Sequence, residues 1–314
     1  MTANSFNGIE STPLAPSLSR RQIVNRLLSL SILSSVYPLN ALAAVIADTT
    51  IPTQAKKRVL ITGSSSGLGF MAANLLAKQG HLVTVHGRSA HRTQEILQEI
   101  PEAEAGVYGD FASLQQVRSL AEQVNKLGLF DAVIHNAAIG TRESNLKKSA
   151  DGYPEVFAIN TLAPYVLTAL MQKPGRLIYM SSSMQFGVDG NEALDDLLWQ
   201  KRQWQGYTAY SESKFFDSVL AFSIARLWPE VLSNTVDPGW VPTRMGGSGA
   251  PDDLHQGYLT QSWLAVSDEP AATVSGHHFH HMRQHQTNPD ALNLAIQARF
   301  LTRCEELTGV KIPT

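Results

Sequence analysis

Tyr210 and Lys214 are two side chains whose types and spacing fit proton-transfer chemistry. They are four positions apart in a segment of helical apolar periodicity, so they would lie on one face of a helix. A tyrosine phenol titrates near pH 10 and needs a nearby cation to exchange protons at neutral pH, and Lys214 is placed to provide one. Tyr-Lys pairs are common on helices and usually structural. The interpretation of this pair as catalytic therefore depends on the motifs around it.

A glycine-rich loop, T-G-S-S-S-G-L-G from Thr62 to Gly69, points to a second kind of chemistry. It follows an apolar strand candidate and opens a helical segment, which is the context in which backbone N–H groups and a helix N-terminus bind a pyrophosphate. A Gly- and Ser-rich turn without a ligand is the alternative. The expected loop contacts are Gly63, Ser65, Ser66, Gly67, Leu68 and Gly69.

The end of the next strand candidate bears on which dinucleotide would bind. Residues 86–89 read H-G-R-S, with no acidic residue before Glu95. A carboxylate there would hold the ribose hydroxyls of NAD(H), whereas a basic residue suits the 2′-phosphate of NADP(H). Arg88, helped by Ser64 or Arg92, therefore favours NADP(H) over NAD(H). The alternative is that Arg88 is a solvated loop charge.

The elements that must position these groups alternate between β-branched apolar runs and amphipathic stretches. This alternation is typical of parallel strands joined by helices, so we expect one α/β domain, a Rossmann-type doubly wound parallel sheet of about seven strands flanked by helices. The strand candidates are Arg58–Thr62, His81–His86, Ala132–His135, Arg176–Met180 and Leu232–Val236, with Gly106–Tyr108 and Gly276–His280 weaker. The helix candidates are Leu68–Lys78, Leu114–Lys126, Tyr153–Met171, Tyr210–Leu227 and Leu292–Leu307.

With the glycine loop, the Tyr210/Lys214 pair and Ser182 after a strand candidate, the chain resembles the short-chain dehydrogenase/reductase family, in its retinol-dehydrogenase-like and carbonyl-reductase-like branch. The resemblance runs from about Lys57 to Gly309. Further matching segments are Gly109-Asp110-Phe111, His135-Asn136-Ala137-Ala138, Asn160-Thr161-Leu162-Ala163 and the run from Asp237 to Thr243.

The resemblance implies a role for each site residue. Ser182 and Tyr210 would hydrogen-bond a substrate carbonyl, and Tyr210 would transfer the proton while a nicotinamide cofactor transfers the hydride. Lys214 would lower the pKa of Tyr210 and contact the nicotinamide ribose, and Asn160 would position a water in the proton relay. The other implied cofactor contacts are Asp110, Phe111, Asn136, Ala137, Tyr210, Lys214, Pro238, Gly239, Val241 and Thr243.

The region between the serine and the tyrosine departs from the family pattern. Ser182 lies among three consecutive serines, so Ser181 is the fallback. Ser182 and Tyr210 are 28 positions apart, about twice the usual interval, and the added segment resembles insertions in members that act on bulky apolar substrates. The added segment, Met184 to Gly206, and nearby parts of the chain contain aromatic residues that would line a roomy pocket, or the tryptophans would simply pin the insertion to the body. These residues are Trp199, Trp204, Tyr207 and Trp240, with the loop 246–251.

These features predict an NADP(H)-dependent carbonyl reductase or alcohol dehydrogenase acting on a hydrophobic small molecule. A nucleotide-sugar epimerase or dehydratase also uses a Tyr-Lys pair, but it spaces its glycines as TGxxGxxG, whereas this chain has TGxxxGxG. A dinucleotide-sensing protein is the non-enzymatic alternative, although such proteins commonly lose the tyrosine or the lysine. Many relatives associate through the helix that carries this pair, so we expect a homodimer or homotetramer.

The amino-acid composition argues against nucleic acid and metal ions as partners. The chain has 314 residues, 43% of them hydrophobic, and a formal net charge of −2, which describes a globular protein without the concentration of basic residues that nucleic-acid binding needs. A single cysteine, Cys304, permits neither an intramolecular disulfide nor a cysteine-based metal cluster. Five of the ten histidines lie in 277–285, but strand side chains alternate faces, so we expect no metal site.

The first 50 residues have the layout of a targeting segment. A polar tail precedes paired arginines at 20 and 21, an uncharged stretch follows from Leu27 to Ala47, and Ala41-Leu42-Ala43 offers a small-x-small cleavage site. The paired arginines resemble those of a twin-arginine signal. We therefore expect residues 1–50 to be a signal peptide or flexible segment, residues 51–314 to be the catalytic domain, and the protein to be exported to the periplasm. A membrane anchor or a cytoplasmic protein is the alternative.

Overall fold

A computed structural model describes residues 55–141 and 143–314 of the chain. The predicted signal segment, its cleavage site and its paired arginines lie outside the described residues. Within the described ranges, no helix combines the length and the apolar character that crossing a bilayer requires.

Eight strands form one sheet in the order β3-β2-β1-β4-β5-β6-β7-β8. Strands β1 to β7 pair in parallel, and β8 pairs antiparallel with β7. The predicted doubly wound α/β sheet is confirmed, with eight strands instead of about seven. The strands are β1 Arg58–Ile61, β2 Leu82–Gly87, β3 Ala105–Tyr108, β4 Ala132–His135, β5 Arg176–Met180, β6 Leu232–Asp237, β7 His278–His280 and β8 Arg283–His285.

Helices cover both faces of this sheet. They are α1 Gly67–Lys78, α2 Ala90–Glu99, α3 Leu114–Leu127, α4 Glu155–Phe157 continuing through a π-helical turn Ala158–Leu162 into Ala163–Leu170, α5 Gly190–Asp195, α6 Gly206–Leu227, α7 Leu254–Val266 and α8 Leu294–Thr308. Short 3₁₀ helices occupy Ser183–Gly187 and Pro289–Leu292. Five of these helices match the sequence candidates, whereas α2, α5 and α7 were not predicted.

The alternation of side chains along the central strands builds two cores. Leu60 packs into the core on one face of the sheet, while Val59 and Ile61 pack into the core on the other, and all three are fully buried. A strand that is apolar on both faces is stable only where helices cover both sides, as in a doubly wound sheet. The continuous apolar runs in the sequence are therefore explained by this arrangement.

Helix α6, which carries the Tyr-Lys pair, is enclosed by the rest of the chain. Every residue from Ala209 to Ile224 is buried. Its neighbours are β5, β6, α4, α8 and the two 3₁₀ helices. Residues 209–224 of the helix through which association was expected are thus covered within one chain.

The carboxyl ends of four parallel strands meet along one edge of the sheet. The chain leaves β1 into the glycine loop, β4 into Asn136, β5 into Ser181 and β6 into Pro238. Strands β1 and β4 are neighbours at the point where the strand order reverses. A crevice is expected at this position in an open α/β sheet, and ligands usually bind there.

Candidate active site

The glycine loop forms a closely packed cradle at the start of α1. Gly63 has a φ of +68°, and a Cβ there would lie 2.7 Å from Cα of Ala137. A Cβ on Gly69 would lie 2.3 Å from Nδ2 of Asn136, so both positions exclude a side chain. Ser66 is the N-cap of α1 but provides no capping hydrogen bond from its side chain. The free N–H groups at this helix end fit a phosphate.

Asn136 connects the glycine loop to the end of β4 through hydrogen bonds. Its Nδ2 donates to the carbonyl oxygen of Thr62 over 3.0 Å. The backbone N–H groups of Asn136 and Ala137 both donate to Oγ1 of Thr62, over 3.0 and 3.1 Å. These bonds hold the loops after β1 and β4 together along one wall of the crevice.

His86, for which the sequence suggested no role, supports the cradle from β2. Its Nδ1 accepts from the N–H of Gly63 over 3.0 Å, its Nε2 lies 3.0 Å from the carbonyl oxygen of Gly109, and its ring stacks on Phe111 with centroids 4.8 Å apart. Burial lowers the pKa of His86 to about 4, so the ring is neutral near pH 7. The cofactor contact expected at Phe111 therefore packs against the same imidazole that supports the glycine loop.

A cleft of about 980 Å³ runs from this cradle to the Tyr-Lys pair. Its walls also include side chains that the sequence did not single out, among them Ile139, Met180 and Met245. Most of the predicted site residues line it: Gly63, Ser65, Ser66, Gly67, Leu68, Arg88, Asp110, Phe111, Asn136, Ala137, Tyr210, Lys214, Pro238 and Thr243.

Five predicted residues lie outside the lining of the cleft. Gly69 packs against Asn136, while Gly239 and Val241 shape the loop after β6. Gly239 has a φ of +81°, and a Cβ there would lie 2.7 Å from Oδ2 of Asp252. Asn160 and Ser182 also lie outside the lining.

Two arginines, Arg88 and Arg92, line the cleft next to the glycine cradle. Arg88 is exposed and forms no hydrogen bond or ion pair with any described residue. Arg92 donates to the carbonyl oxygen of Ser65 over 2.5 Å and to Oε2 of Glu95 over 2.7 Å. Ser64, considered as a helper of Arg88, is fully buried and accepts from the N–H of His86, so its hydroxyl is engaged in the core.

Tyr210 and Lys214 lie together on α6 at the wall of the cleft. Nζ of Lys214 is 5.6 Å from the ring centroid of Tyr210, and the Tyr210 hydroxyl forms no hydrogen bond with a described residue. Burial raises the pKa of Tyr210, Lys214 opposes this, and Asp217 and Asp237 add to the rise. Lys214 therefore acts in the expected direction, but the net pKa of Tyr210 lies above its ordinary value because burial has the larger effect.

The two candidate serines have different surroundings. Oγ of Ser181 donates to the carbonyl oxygen of Lys214 over 2.8 Å and lies 3.1 Å from Oγ of Ser218, so it joins β5 to α6 although the residue borders the cleft. Ser182 is partly exposed and caps the following 3₁₀ helix, accepting from the N–H of Met184 over 3.3 Å. The Ser182 hydroxyl is the freer of the two.

Asn160 lies in the π-helical turn of α4 and is 1% exposed. Its Oδ1 accepts from the N–H of Ile139 over 2.8 Å, and its Nδ2 donates to the carbonyl oxygen of Ile139 and to Oγ of Ser213, each over 3.0 Å. Single-turn π bulges of this kind often occur at functional sites. In this structure Asn160 positions the loop after β4 against α6 through direct bonds.

The tryptophans of the insertion pin it to the body. Trp199 is 8% exposed and packs edge-to-face on Trp204 at 5.1 Å between centroids. The guanidinium of Arg202 lies 4.3 Å above the Trp199 ring and forms two bonds with the carboxylate of Glu212. Nε1 of Trp204 donates to the carbonyl oxygen of Glu143 over 2.8 Å. Neither tryptophan lines the cleft.

The other aromatic candidates lie at the surface. Tyr207 and Trp240 are 64% and 61% exposed, and Nε1 of Trp240 donates to the carbonyl oxygen of Gly246 over 3.0 Å. Neither residue lines the cleft, and Tyr207 instead borders a smaller pocket together with Arg202 and Glu212.

The hairpin of β7 and β8 carries the histidine cluster, and the ring of His280 stacks on His281 at 3.7 Å between centroids and lies 5.9 Å from that of His285. His278 is buried with its Nδ1 2.7 Å from Oγ1 of Thr235, and Nδ1 of His280 lies 3.1 Å from the carbonyl oxygen of Asp237. His281 adopts a φ of +49° in the turn. Among the described residues, no three His, Cys, Asp or Glu side chains are grouped so that they could hold a metal ion.

The sequence and the fold can be compared with known proteins. The short chain dehydrogenase family profile matches residues 57–192. The short-chain dehydrogenase chyC of Penicillium rubens is 35% identical over 260 residues, covering 82% of this chain and 99% of that protein. Retinol dehydrogenase 13 of Mus musculus is 26% identical over 287 residues, covering 81% of this chain and 84% of that protein.

Among solved structures, the NADPH-dependent 3-quinuclidinone reductase from Rhodotorula rubra covers 72% of this chain and 90% of its own, with 22% identity and a TM-score of 0.54. This likeness concerns the fold alone. The match to chyC extends over the glycine loop, the Tyr-Lys helix and nearly the whole length of that relative. The chain therefore belongs to the short-chain dehydrogenase family of oxidoreductases.

Proposed function

We propose that this protein is an NADP(H)-dependent oxidoreductase that interconverts a carbonyl and an alcohol on a hydrophobic small molecule, with Tyr210 as general acid and base. The observation that carries the proposal is that Tyr210 and Lys214 border the same cleft as the glycine cradle. A group that spans this cleft would have one end at a phosphate site and the other beside a proton donor.

The cradle fits a dinucleotide. Gly63 and Gly69 leave no room for side chains, α1 begins without a side-chain cap, and the cleft continues past Ala137 to Pro238 and Thr243. Nicotinamide, when bound, supplies or accepts a hydride. The expected contacts of Gly239 and Val241 would be indirect, through the shape of the loop after β6.

Tyr210 would transfer the proton. Its pKa is raised by burial, so the phenol is protonated near pH 7 and is ready to donate to a carbonyl oxygen. Ser182 would donate a second hydrogen bond to that oxygen and stabilise the charge that develops on it. Burial lowers the pKa of Lys214, but its ion pair with Asp217 raises it and the net pKa lies above the ordinary value, so Lys214 stays charged and would bind the ribose next to the nicotinamide.

Two features support NADP(H) over NAD(H). Arg88 lies at the adenosine end of the cleft without a partner among the described residues, and Arg92 lies beside it. The loop around them has no carboxylate placed to receive the ribose hydroxyls. The related fold of an NADPH-dependent reductase is consistent with this choice.

The far end of the cleft supports an apolar substrate. Ile139, Ile159, Met180 and Met245 supply apolar wall to the cleft, alongside the polar side chains of Thr141, Glu143, Glu155 and Arg244. A Cβ on Gly140 would lie 2.7 Å from Cγ of Met245, so the loops after β4 and β6 meet closely around this end. Apolar walls with a few convergent polar groups are typical of sites for small hydrophobic molecules.

Delivery through residues 1–50 is part of the proposal. An exported enzyme would have to bind its cofactor before transport, and a twin-arginine route, which carries folded proteins, would allow this. Sequencing the mature N-terminus tests this part: a start near Ala44 supports export, and an intact Met1 contradicts it.

The enzymatic proposal is tested by a substrate screen. Retinoid-like, steroid-like and aromatic carbonyls would be offered with NADPH or NADH, and cofactor consumption would be followed by absorbance. We expect turnover with an apolar carbonyl and a preference for NADPH. Failure of every carbonyl and every corresponding alcohol to change the cofactor would contradict the proposal.

A further inference from the structure

Asp217 lies one helical turn after Lys214 on α6, and the two side chains form a buried ion pair. Their Nζ and Oδ2 atoms are 2.9 Å apart, and each side chain is 4% exposed. The sequence motifs did not draw attention to Asp217, because a lone acid on an apolar helix forms no recognisable pattern. Its contact with the Lys214 ammonium nevertheless places it directly behind the candidate site.

The hydrogen bonds of Lys214 limit where its ammonium can point. An ammonium has three N–H donors. One donates to the carbonyl oxygen of Met180 over 2.8 Å and one to Asp217 over 2.9 Å. The third remains for a group in the cleft, which Lys214 borders. Asp217 and the end of β5 therefore fix the direction of this last donor.

Stability alone does not account for the carboxylate. Oδ1 of Asp217 is buried without a hydrogen-bond partner among the described residues. A buried ion pair often contributes less to stability than well-packed apolar residues of the same size, and an unpartnered oxygen lowers its contribution further. The feature that the pair does provide is an oriented, charge-compensated lysine beside Tyr210.

We propose that Asp217 is a positioning residue of this site: its carboxylate orients the Lys214 ammonium toward the cleft and offsets the positive charge that Lys214 places beside Tyr210. This inference rests on the proposed function for its meaning in catalysis. Its test is separate from that of the proposed function, because the effect of Asp217 on the pKa of Tyr210 can be measured without a substrate.

The direction in which Asp217 shifts the pKa of Tyr210 follows from the groups that surround Tyr210. Burial raises the pKa of Tyr210, Lys214 on the same helix lowers it, and Asp217 and then Asp237 at the end of β6 raise it. Asp217 also adds to the raised pKa of Tyr179 on β5, where burial is the main cause. Neutralising Asp217 removes a negative charge, so the pKa of Tyr210 should fall.

The pH range of the effect follows from Asp217 itself. Burial raises the pKa of Asp217 to about 7, and the charge of Lys214 opposes this rise. The carboxylate is therefore charged above pH 7 and increasingly neutral below it. Replacing Asp217 with a neutral residue should therefore shift the titration of Tyr210, which occurs well above pH 7. The same replacement should change the charge of the site little in acid, where Asp217 is already neutral.

The test is a spectroscopic titration of Tyr210 in the full chain. The chain has 8 tyrosines, so the tyrosinate absorbance of each protein is measured against a partner that also carries Tyr210→Phe. Asp217→Asn should lower the midpoint by about one pH unit. Asp195→Asn, at an exposed carboxylate, is the matched control and should leave it unchanged. Circular dichroism verifies that each variant is folded.

Two further measurements complete the experiment. If Asp217→Asn does not fold, Asp217→Ser is the second neutral variant with the same expected shift, and Asp217→Glu should keep the wild-type midpoint. An unchanged Tyr210 midpoint in a folded neutral variant would overturn the inference. Failure of the proposed function would appear differently, as wild-type protein that turns over no carbonyl or alcohol while the midpoint still moves.

Discussion

The N–H of Gly63 donates to Nδ1 of His86 over 3.0 Å, which makes this imidazole the clamp of the glycine cradle. Since Nδ1 accepts, Nε2 must carry the ring proton, and it can donate to the carbonyl oxygen of Gly109 over 3.0 Å. Burial lowers the pKa of His86 to about 4, so one neutral tautomer satisfies both bonds throughout the physiological pH range.

Replacing His86 should weaken cofactor binding more than it affects turnover. His86→Phe keeps a ring against Phe111 but loses both hydrogen bonds, so we expect the Kd for NADPH to rise by about tenfold, with kcat at saturating NADPH within about threefold of wild type. Fluorescence titration of NADPH measures the Kd. His81→Phe is the matched control, because His81 is a buried histidine at the other end of β2. Equal losses in both variants would contradict the role of His86.

The two serines after β5 should separate catalysis from stability. Ser182→Ala should lower kcat by about 10²–10³ with NADPH binding unchanged, since it removes a hydrogen bond to the developing oxyanion. Ser181→Ala should instead lower the free energy of unfolding by about 1–2 kcal/mol, because it breaks the buried bond to the Lys214 carbonyl. Steady-state kinetics and urea unfolding distinguish them, and a reversed pattern would show that Ser181 is the catalytic serine.

Arg88 should affect the two dinucleotides differently. Arg88→Ala removes a cation that the 2′-phosphate would contact, so we expect a rise of about 10-fold or more in the Kd for NADPH and a change of less than about threefold for NADH. Arg118→Ala, at an arginine that bonds the carbonyl oxygen of Thr308 away from the cleft, is the control. If both cofactors lose affinity equally, Arg88 is not the selective contact.

Acid should destabilise the fold through three buried histidines. Burial lowers the pKa of His86 and His278 to about 4 and that of His135 to about 3, below the ordinary 6.5. Because the fold keeps each ring neutral, each histidine makes its full contribution to the free energy of unfolding above pH 6.5. This contribution is lost as the pH falls from 6.5 toward the pKa in the folded state, since the unfolded chain then binds more protons than the folded one. At roughly 1.4 kcal/mol per pKa unit, the loss is of the order of several kcal/mol.

Thermal unfolding at pH 7.5, 6.0 and 5.0 tests this pH dependence. We expect Tm to fall steadily over the series, with the steepest loss below pH 6. A Tm that is constant or rises between pH 7.5 and 5.0 would show that these rings are not held neutral by the fold.

The sequence was sufficient to predict those parts of the fold that follow a simple apolar pattern. Val59, Leu60 and Ile61 form a continuous apolar run, and they lie in a strand buried on both faces. Strand β8 was missed because its three residues, R-Q-H, are all exposed and carry no apolar signal. Helix α7 was missed because it buries polar residues such as Gln261 together with apolar ones, so it shows no clean amphipathic pattern.

The site was predictable where a residue type has one physical use. Gly63 and Gly69 are required by close backbone packing, and the pair Tyr210 and Lys214 follows from helical spacing. His86 and Asp217 were not recognised because their roles depend on contacts between separate elements, which spacing along the chain does not reveal. The structural role of Trp199 follows from its packing partners, Trp204 and Arg202, which its residue type alone does not reveal.

The most direct test of the account is the turnover of Tyr210→Phe with an apolar carbonyl substrate and NADPH. The variant keeps the ring and its packing on α6 but loses the hydroxyl that borders the cleft. We predict that NADPH binds with an unchanged Kd, while kcat falls by at least about 10²-fold because the proton donor is absent. Wild-type turnover in this variant would contradict the assignment of Tyr210 as the general acid.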